Sequence, residues 1–197
     1  GVGSNGRESA LARCSVVDEQ GKVLYDRHVQ VDERVTDFRT KYSGVRAKDL
    51  KNDSVTFREC QQKVAALLRG KILVGHALSN DFEALELSHP QHLVRDTAKY
   101  PPLCRRNGKP RKLSRLVAEH LGLLIQSGEH SPHEDAMAAL YLYQKYSGPW
   151  EDREAKRREG HLRGKRERLE ARSAWAAESD GAGDGPRAEG SSSTPRG

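Results

Sequence analysis

Two aspartates and a histidine stand where α/β proteins usually place their chemistry. Asp81 follows a short apolar run that ends at His76, and Asp135 falls in the first turn of a predicted helix. His130 lies five residues before Asp135, just outside the start of that helix. Carboxylate oxygens are the ligands that hard divalent cations prefer, and a histidine with an ordinary pKa of about 6.5 suits a general base. The pattern makes these three residues candidates for a functional site.

Each of these residues also has a plainer interpretation when it is taken alone. An aspartate in the first turn of a helix is favoured there by the helix dipole, which accounts for both Asp81 and Asp135 without any metal. His130 alone fits a surface loop. The hypothesis of a reactive site therefore rests on the three residues being brought together by the elements around them.

The elements that must position the two aspartates are a buried strand and two helices. Residues 71–76 form a short apolar run typical of a buried strand, and residues 80–87 have helical spacing. Ser131, Pro132 and Glu134 supply an N-cap, a first-turn proline and an acidic third position, so a helix should begin there. We expect it to end near Tyr146, because Gly148 and Pro149 follow.

The remaining elements complete an α/β pattern. Residues 10–17 and 23–31 are β-rich runs separated by a turn-like stretch that contains Gly21, which predicts a hairpin. Thr56 and Glu59 form a capping box at the start of a helix that Gly70 ends. A further strand is predicted over 93–96 and a further helix over 113–121.

Composition and charge define the class of protein. The 197 residues carry a formal net charge of +6, which favours a polyanionic partner. Three widely spaced cysteines, Cys14, Cys60 and Cys104, match neither a disulfide framework nor a metal site, so we expect reduced thiols. No apolar run is long enough to span a bilayer and no signal segment opens the chain, so we expect a soluble protein that is not secreted.

The sequence divides into a domain and a charged tail. Nearly all the apolar periodicity lies within 1–149. Residues 150–175 alternate in charge and predict a solvated helical or disordered extension. Residues 176–197 are rich in Gly, Ser, Ala and Pro, so we expect a disordered tail.

Two segments resemble motifs of the DEDDh exonuclease superfamily. Residues 75–85, GHALSNDFEAL, resemble its second motif, and residues 129–136, EHSPHEDA, resemble its third, in which four residues separate the histidine from the aspartate. The likeness covers about residues 1–147 and is greatest to the RNA exonuclease 4 group, which is related to the interferon-stimulated and apoptosis-enhancing nucleases. A chance match in an unrelated α/β domain would need both motifs in the right order.

The resemblance implies a ribonuclease H-like exonuclease fold, with a mixed β-sheet flanked by helices. It implies removal of nucleotides from the 3′ end of RNA, or less readily of single-stranded DNA, with release of 5′-monophosphates. Two Mg²⁺ or Mn²⁺ ions would stabilise the attacking and leaving oxygens. Asp81 and Asp135 would be metal ligands, and His130 the general base. His133 competes for that role, but it lies inside the helix and breaks the family spacing.

The resemblance also implies residues that contact the nucleic acid. Arg39 matches an arginine that faces the substrate, although a solvated loop charge is the alternative. His76 and Asn80 are the other candidate substrate-binding residues. Asp96 is expected to be a structural hydrogen-bond acceptor and is left out of the site.

The sequence departs from the family at its beginning. The first family motif is a strand with Asp-x-Glu shortly before a Gly-x-Gly like Gly1-Val2-Gly3, and the chain begins just after that place. That strand lies between the hairpin and the strand ending near His76, so its absence should leave both neighbours with an unpaired edge. We expect the chain to derive from a longer enzyme, to bind Mg²⁺ weakly and to show little turnover.

A second hypothesis is a noncatalytic RNA-binding or ribosome-assembly factor. The basic clusters at 156–158 and 163–168 would then be an RNA-contacting arm, or a nuclear or nucleolar address. A merely solvated charged helix is the alternative. The family resemblance suggests pre-ribosomal RNA as substrate and the nucleus, in particular the nucleolus, as location.

Overall fold

The computed structural model describes residues 11–31, 54–124 and 131–181, with side chains described as far as Trp175. The chain divides into two compact units, Gly1–Trp150 and Glu151–Gly197. The division falls one residue beyond the predicted end of the first domain at 149. No helix among the described residues combines the length and the apolar character that a membrane span needs.

The predicted hairpin is confirmed. Strand β1, Arg13–Val17, pairs antiparallel with β2, Val23–Val29. The turn between them is tight because Gly21 adopts a φ of +84° and the Asp18 carboxylate accepts the backbone N–H groups of Gln20 and Lys22 at 3.0 and 2.9 Å. A short strand β3, Ser54–Val55, adds to β2 in parallel.

Helix α1, Phe57–Leu68, begins at the predicted capping box. The Thr56 hydroxyl accepts the Glu59 N–H, and the Glu59 carboxylate accepts the Thr56 N–H at 2.9 Å. The helix places Cys60 and Val64 against Val29 of β2, and these residues form the first buried cluster together with Leu85. This packing fixes the three-stranded sheet to one helix.

Strand β4, Leu73–Gly75, pairs in parallel with β5, Val94–Asp96, as a second sheet. Helix α2, Leu78–Ala84, follows β4 after one turn. Both strands and the helix lie at the predicted places and are shorter than predicted. The parallel pairing brings the end of β4 next to Asp96 at the end of β5.

Two helices build the second buried cluster. Helix α3, Leu113–Leu121, matches its prediction, and α4, Pro132–Gly181, begins at the predicted proline. The cluster joins two residues of α3 and three of α4 to the stretch before α3; its members are Tyr100, Leu103, Leu116, Val117, Ala138, Leu142 and Trp150. Trp150 stacks on Tyr100 with ring centroids 3.9 Å apart.

The predicted end of α4 near Tyr146 is wrong. The helix continues through Gly148 and Pro149 and reaches Gly181, so residues 176–181 are helical rather than part of a disordered tail. Proline costs a helix one backbone hydrogen bond. The burial of Trp150 against Tyr100 and Tyr143 offsets that cost, because the aromatic ring reaches its partners only if the helix continues past Pro149. Residues 182–197 lie outside the described residues.

The described strands form two sheets, in the orders β1-β2-β3 and β4-β5, instead of one five-stranded sheet. Within the described residues, β1 pairs only with β2 and β4 pairs only with β5. The sequence analysis expects a further strand between the hairpin and β4, and β1 and β4 are the strands that it would adjoin. The α/β class is confirmed.

Candidate functional site

A two-residue turn between β4 and α2, His76 and Ala77, sets the position of Asp81. A Cβ atom at Gly75 would lie 2.4 Å from Leu78 Cδ2, so a larger residue there would require the Leu78 side chain to move. Ala77 adopts a left-handed φ of +59°, which is uncommon for a residue with a Cβ atom and marks a constrained turn. The chain therefore reverses sharply and begins α2 within two residues of the strand end.

Asp96 fixes this turn from the neighbouring strand. Its Oδ1 accepts the N–H groups of Ala77 at 2.8 Å and Ala98 at 2.9 Å, and its Oδ2 accepts the N–H of Leu78 at 3.2 Å. Ala77 has no side-chain oxygen that could cap the start of α2, so the Asp96 carboxylate of β5 accepts the free N–H groups there instead. Asp96 is only 5% exposed and is a positioning residue, which is the structural role that the resemblance predicts.

Asp81 and Asp135 come from different elements and lie within electrostatic reach of each other. Asp81 is in the first turn of α2, and Asp135 is in the first turn of α4. Desolvation by the surrounding protein raises the pKa of Asp81 to about 6, and the negative charges of Asp96 and Asp135 add to the effect. Asp81 is nevertheless exposed at the surface. Protein atoms therefore surround part of its carboxyl group, and the remaining part is accessible to a ligand.

His76 is held by the scaffold beside these carboxylates. Its Nδ1 lies 2.9 Å from Thr97 Oγ1, and the Thr97 hydroxyl donates to the Gly75 carbonyl at 3.0 Å, so His76 Nδ1 is the donor to Thr97. Burial lowers the pKa of His76, while the Asp96 charge, a hydrogen bond to the Arg111 backbone and the Asp135 charge oppose that shift. Asn80 is exposed next to Asp81.

Two predicted site residues, His130 and Arg39, lie outside the described residues. The competing histidine, His133, is half-buried in the first turn of α4, and its charge contributes to lowering the pKa of Asp26 on β2. The structure therefore brings together Asp81, Asp135 and His76, and places His133 near the hairpin.

Only two carboxylates of the described residues are candidates to bind a divalent cation here. The described part of the chain contains no group of three or more histidine, cysteine, aspartate or glutamate residues suited to a metal ion. Two carboxylates suit Mg²⁺, which keeps several of its waters and takes one or two carboxylate ligands. A cation between Asp81 and Asp135 would also relieve the repulsion that raises the Asp81 pKa.

Sequence analysis missed a polar cluster on the hairpin. Arg13 donates to both carboxylate oxygens of Asp26, with Nε–Oδ1 and Nη2–Oδ2 distances of 2.9 and 2.8 Å, and Ser15 Oγ donates at 2.8 Å. These bonds lower the pKa of Asp26. Ser15 and Asp26 are direct cross-strand partners, so a register assigned from the turn would have indicated the contact.

The sequence pattern of the Exonuclease family of the RNase T type matches residues 3–143, which include Asp81 and Asp135. The chain belongs to this exonuclease family. Its fold is the ribonuclease H-like α/β fold that the resemblance predicted. Exonuclease domains of this kind use divalent metal ions, although the match does not identify the ion.

Curated relatives of this exonuclease chain carry the name RNA exonuclease 4. The Saccharomyces cerevisiae protein is 48% identical over 147 residues, which are 74% of this chain and 50% of that protein. The Homo sapiens protein is 44% identical over 159 residues, which are 80% of this chain and 37% of that protein. The chain thus spans half or less of the length of these relatives.

Solved exonuclease structures show the same fold. The catalytic unit of Neurospora crassa Pan2 superposes with a TM-score of 0.65 at 29% identity and covers 78% of this chain and 27% of that one. The Saccharomyces cerevisiae Pan2 module in complex with A7 RNA superposes with a TM-score of 0.66 at 31% identity, covering 75% of this chain and 26% of that one. One of the similar exonuclease structures was therefore solved with RNA bound.

Proposed function

We propose that the chain carries the catalytic domain of a 3′-to-5′ exoribonuclease, which hydrolyses phosphodiester bonds and releases 5′-monophosphates. The observation that carries this proposal is the electrostatic interaction of Asp81 with Asp135, two carboxylates in the first turns of helices within the segment that matches the exonuclease family. The choice of RNA follows from relatives named RNA exonuclease 4 and from a structural neighbour bound to RNA. Single-stranded DNA is a weaker substrate in this proposal.

Each residue of the proposed site has one of three roles: ion binding, proton transfer or substrate contact. Asp81 and Asp135 would hold Mg²⁺ or Mn²⁺, which supplies charge stabilisation to the phosphodiester oxygens during hydrolysis. His130 would accept the proton of the attacking water. Arg39, His76 and Asn80 would contact the nucleic acid, and Asp96 would keep the turn that presents Asp81 in place.

The printed chain should work poorly on its own. The proposed site needs more than Asp81 and Asp135, because the family that the sequence resembles also uses a strand with Asp-x-Glu. Among the described residues β1 pairs with β2 and β4 pairs with β5, so each has an edge there to which such a strand could add. We expect weak Mg²⁺ binding and little turnover from a protein that lacks this strand, and full activity from one that carries it.

The test compares the printed chain with a chain extended at Gly1 by the corresponding strand of the Saccharomyces cerevisiae relative. RNA labelled at its 5′ end is incubated with each protein and Mg²⁺, and the products are separated by length. We expect a ladder of 3′-shortened RNA from the extended chain, reduced by orders of magnitude in Asp135→Ala. Glu134→Ala, an exposed carboxylate one residue away, is the matched control and should retain activity.

A noncatalytic RNA-binding factor is the alternative, and the exposed basic clusters at 156–158 and 163–168 favour it. In that case Asp135→Ala would leave both RNA binding and RNA length unchanged, and the extended chain would produce no ladder. An RNA that is shortened by the extended chain and spared by its Asp135→Ala variant would exclude this alternative.

We further propose that the protein acts in the nucleus, and in particular in the nucleolus, on pre-ribosomal RNA. The support is the pair of basic clusters at 156–158 and 163–168, which are almost wholly exposed on α4. A fluorescent fusion of the whole protein should concentrate in nucleoli, and replacing the seven cations of these clusters by Gln should disperse it: Lys156, Arg157, Arg158, Arg163, Lys165, Arg166 and Arg168. An undisturbed nucleolar signal in that variant would exclude these clusters as the address.

A further inference from the structure

The helix of the second unit carries a continuous row of cations along one side. Positions three or four residues apart lie on the same side of an α-helix. From residue 153 onward one series of such steps passes only through exposed basic and aromatic side chains: Arg153, Arg157, His161, Lys165, Arg168, Arg172 and Trp175. The row ends at Trp175, whose side chain is 72% exposed.

Acidic residues of this helix lie mostly on the other side. With 100° per residue, Asp152, Glu159 and Glu170 fall opposite the row, and Glu167 lies beside it. Glu167 and Glu170 pair with cations outside the row, Arg163 at 3.9 Å and Arg166 at 3.5 Å. Within the row the acidic neighbour is Glu154, which pairs with Arg157 at 2.8 Å. The row is therefore mostly basic, while the other side of the helix mixes cations with acidic residues.

We propose that this row binds RNA through successive phosphates, with Trp175 stacking on a base. The inference deepens the proposed exoribonuclease function by giving the chain a second contact with its substrate. The row spans 22 residues, or about 33 Å of helix, which is long enough to follow several phosphates. Arginine forks bind phosphate in two-point contact, and an exposed indole stacks on bases regardless of sequence.

The composition of the helix favours RNA over other anionic partners. A helix that lies on a membrane needs a broad apolar face beside its cations. The exposed Leu162 and Leu169 lie outside the row, and Trp175 is the one large apolar side chain within it. A protein partner of ordinary affinity would need an apolar centre to its interface, which the row does not offer. RNA is a regular polyanion with flat bases, so its phosphates can contact the cations of the row and one of its bases can stack on Trp175.

The experiment uses the whole chain in EDTA, where RNA is not hydrolysed. A row variant, Lys165→Gln with Arg168→Gln and Arg172→Gln, is compared with Lys156→Gln, Arg163→Gln and Arg166→Gln, which removes the same charge from the other side. Binding of a fluorescein-labelled 20-nucleotide RNA is followed by anisotropy at several salt concentrations. We expect the row variant to bind at least about tenfold more weakly, with a salt slope smaller by about 2, since each phosphate contact contributes about 0.7.

The matched variant should change affinity less than twofold. RNA should quench the tryptophan fluorescence of the native chain, and it should not quench that of Trp175→Ala, in which Trp150 is the remaining tryptophan. Equal losses in both charge variants, or no loss in the row variant, would overturn the proposal. So would tighter binding to vesicles of anionic lipid than to RNA. Shortening of the same RNA by the extended chain in Mg²⁺ tests the nuclease proposal separately, so a failure of the row is distinguishable from a failure of that proposal.

Discussion

Asp81 illustrates how a site can be built at the expense of stability. Its carboxyl group stands among protein atoms and two further carboxylates, and its pKa rises to about 6 in consequence. An arrangement that served only the fold would place a cation or a neutral residue there. The carboxylates Asp81 and Asp135 instead remain close together, which is the condition for sharing a metal ion.

Asp81→Asn should stabilise the metal-free chain at neutral pH. A carboxyl group whose pKa is higher in the folded state than its unfolded value of about 3.9 loses stability as pH rises from about 4 to 6, and the loss persists above that. Asparagine removes this loss, so the variant should melt at a higher temperature at pH 7, with a gap that shrinks towards pH 4. Thermal unfolding in EDTA measures the gap, and Glu83→Gln on the same helix is the control. A lower melting temperature at pH 7 would contradict the pKa assignment.

Asp96 should matter for stability in proportion to the backbone groups it binds. Asp96→Ala leaves three N–H groups without their acceptor, and at about 1 to 3 kcal/mol for each buried group the free energy of unfolding should fall by about 3 kcal/mol or more. Asp96→Asn keeps the oxygen that serves Ala77 and Ala98 and loses the bond to Leu78, so its cost should be about half or less. Urea unfolding of both variants checks this; equal costs would show that charge, not hydrogen bonding, is what Asp96 supplies.

At the scale of elements, the aromatic contacts of Trp150 hold α4 beyond the end near Tyr146 that the sequence predicts. Trp150 stacks on Tyr100 and meets Tyr143 edge-on, so it fastens the helix after Pro149 to the second buried cluster. Tyr100 lies fifty residues earlier in the chain, next to the turn that Asp96 organises. Packing at long range thus holds this helix together past the end near Tyr146 that the sequence predicts.

Trp150→Ala should lower the free energy of unfolding by about 3 to 5 kcal/mol, as expected when a large buried aromatic is removed. Trp150 is 3% exposed, whereas Trp175 on the same helix is 72% exposed, so Trp175→Ala is a matched control with little expected effect. Urea unfolding of the whole chain measures the free energy of unfolding of both variants. Similar small losses for the two variants would mean that Trp150 does not anchor α4.

The sequence predicted the elements whose signals are local. The capping box of Thr56 and Glu59, the glycine turn of the hairpin and the apolar stripe of α3 all act within a few residues, and all three are confirmed. The continuation of α4 past Pro149 depends on Tyr100, which is distant in the chain, and could not be obtained from local spacing. The Arg13–Asp26 contact requires the register of the two strands as well as their positions.

At the scale of the whole molecule, the candidate site draws on two helices that are distant in the chain. The sequence placed Asp81 and Asp135 at element ends, and the fold brings them within electrostatic reach of each other. The strand expected between the hairpin and β4 stays a prediction. The side chains expected to complete the chemistry, His130 and Arg39, lie outside the described residues, so their roles stay predictions.

The most direct test of the account is whether Asp81 and Asp135 bind one ion as a pair. Binding of Mn²⁺ by the printed chain is measured by electron paramagnetic resonance, for the native protein, Asp81→Asn, Asp135→Asn and the double variant. The account predicts weak binding that each single substitution abolishes as completely as both together, since either carboxylate alone holds the ion poorly. Binding that survives in both single variants, or losses that simply add, would show that the two carboxylates act separately and would contradict the shared metal site.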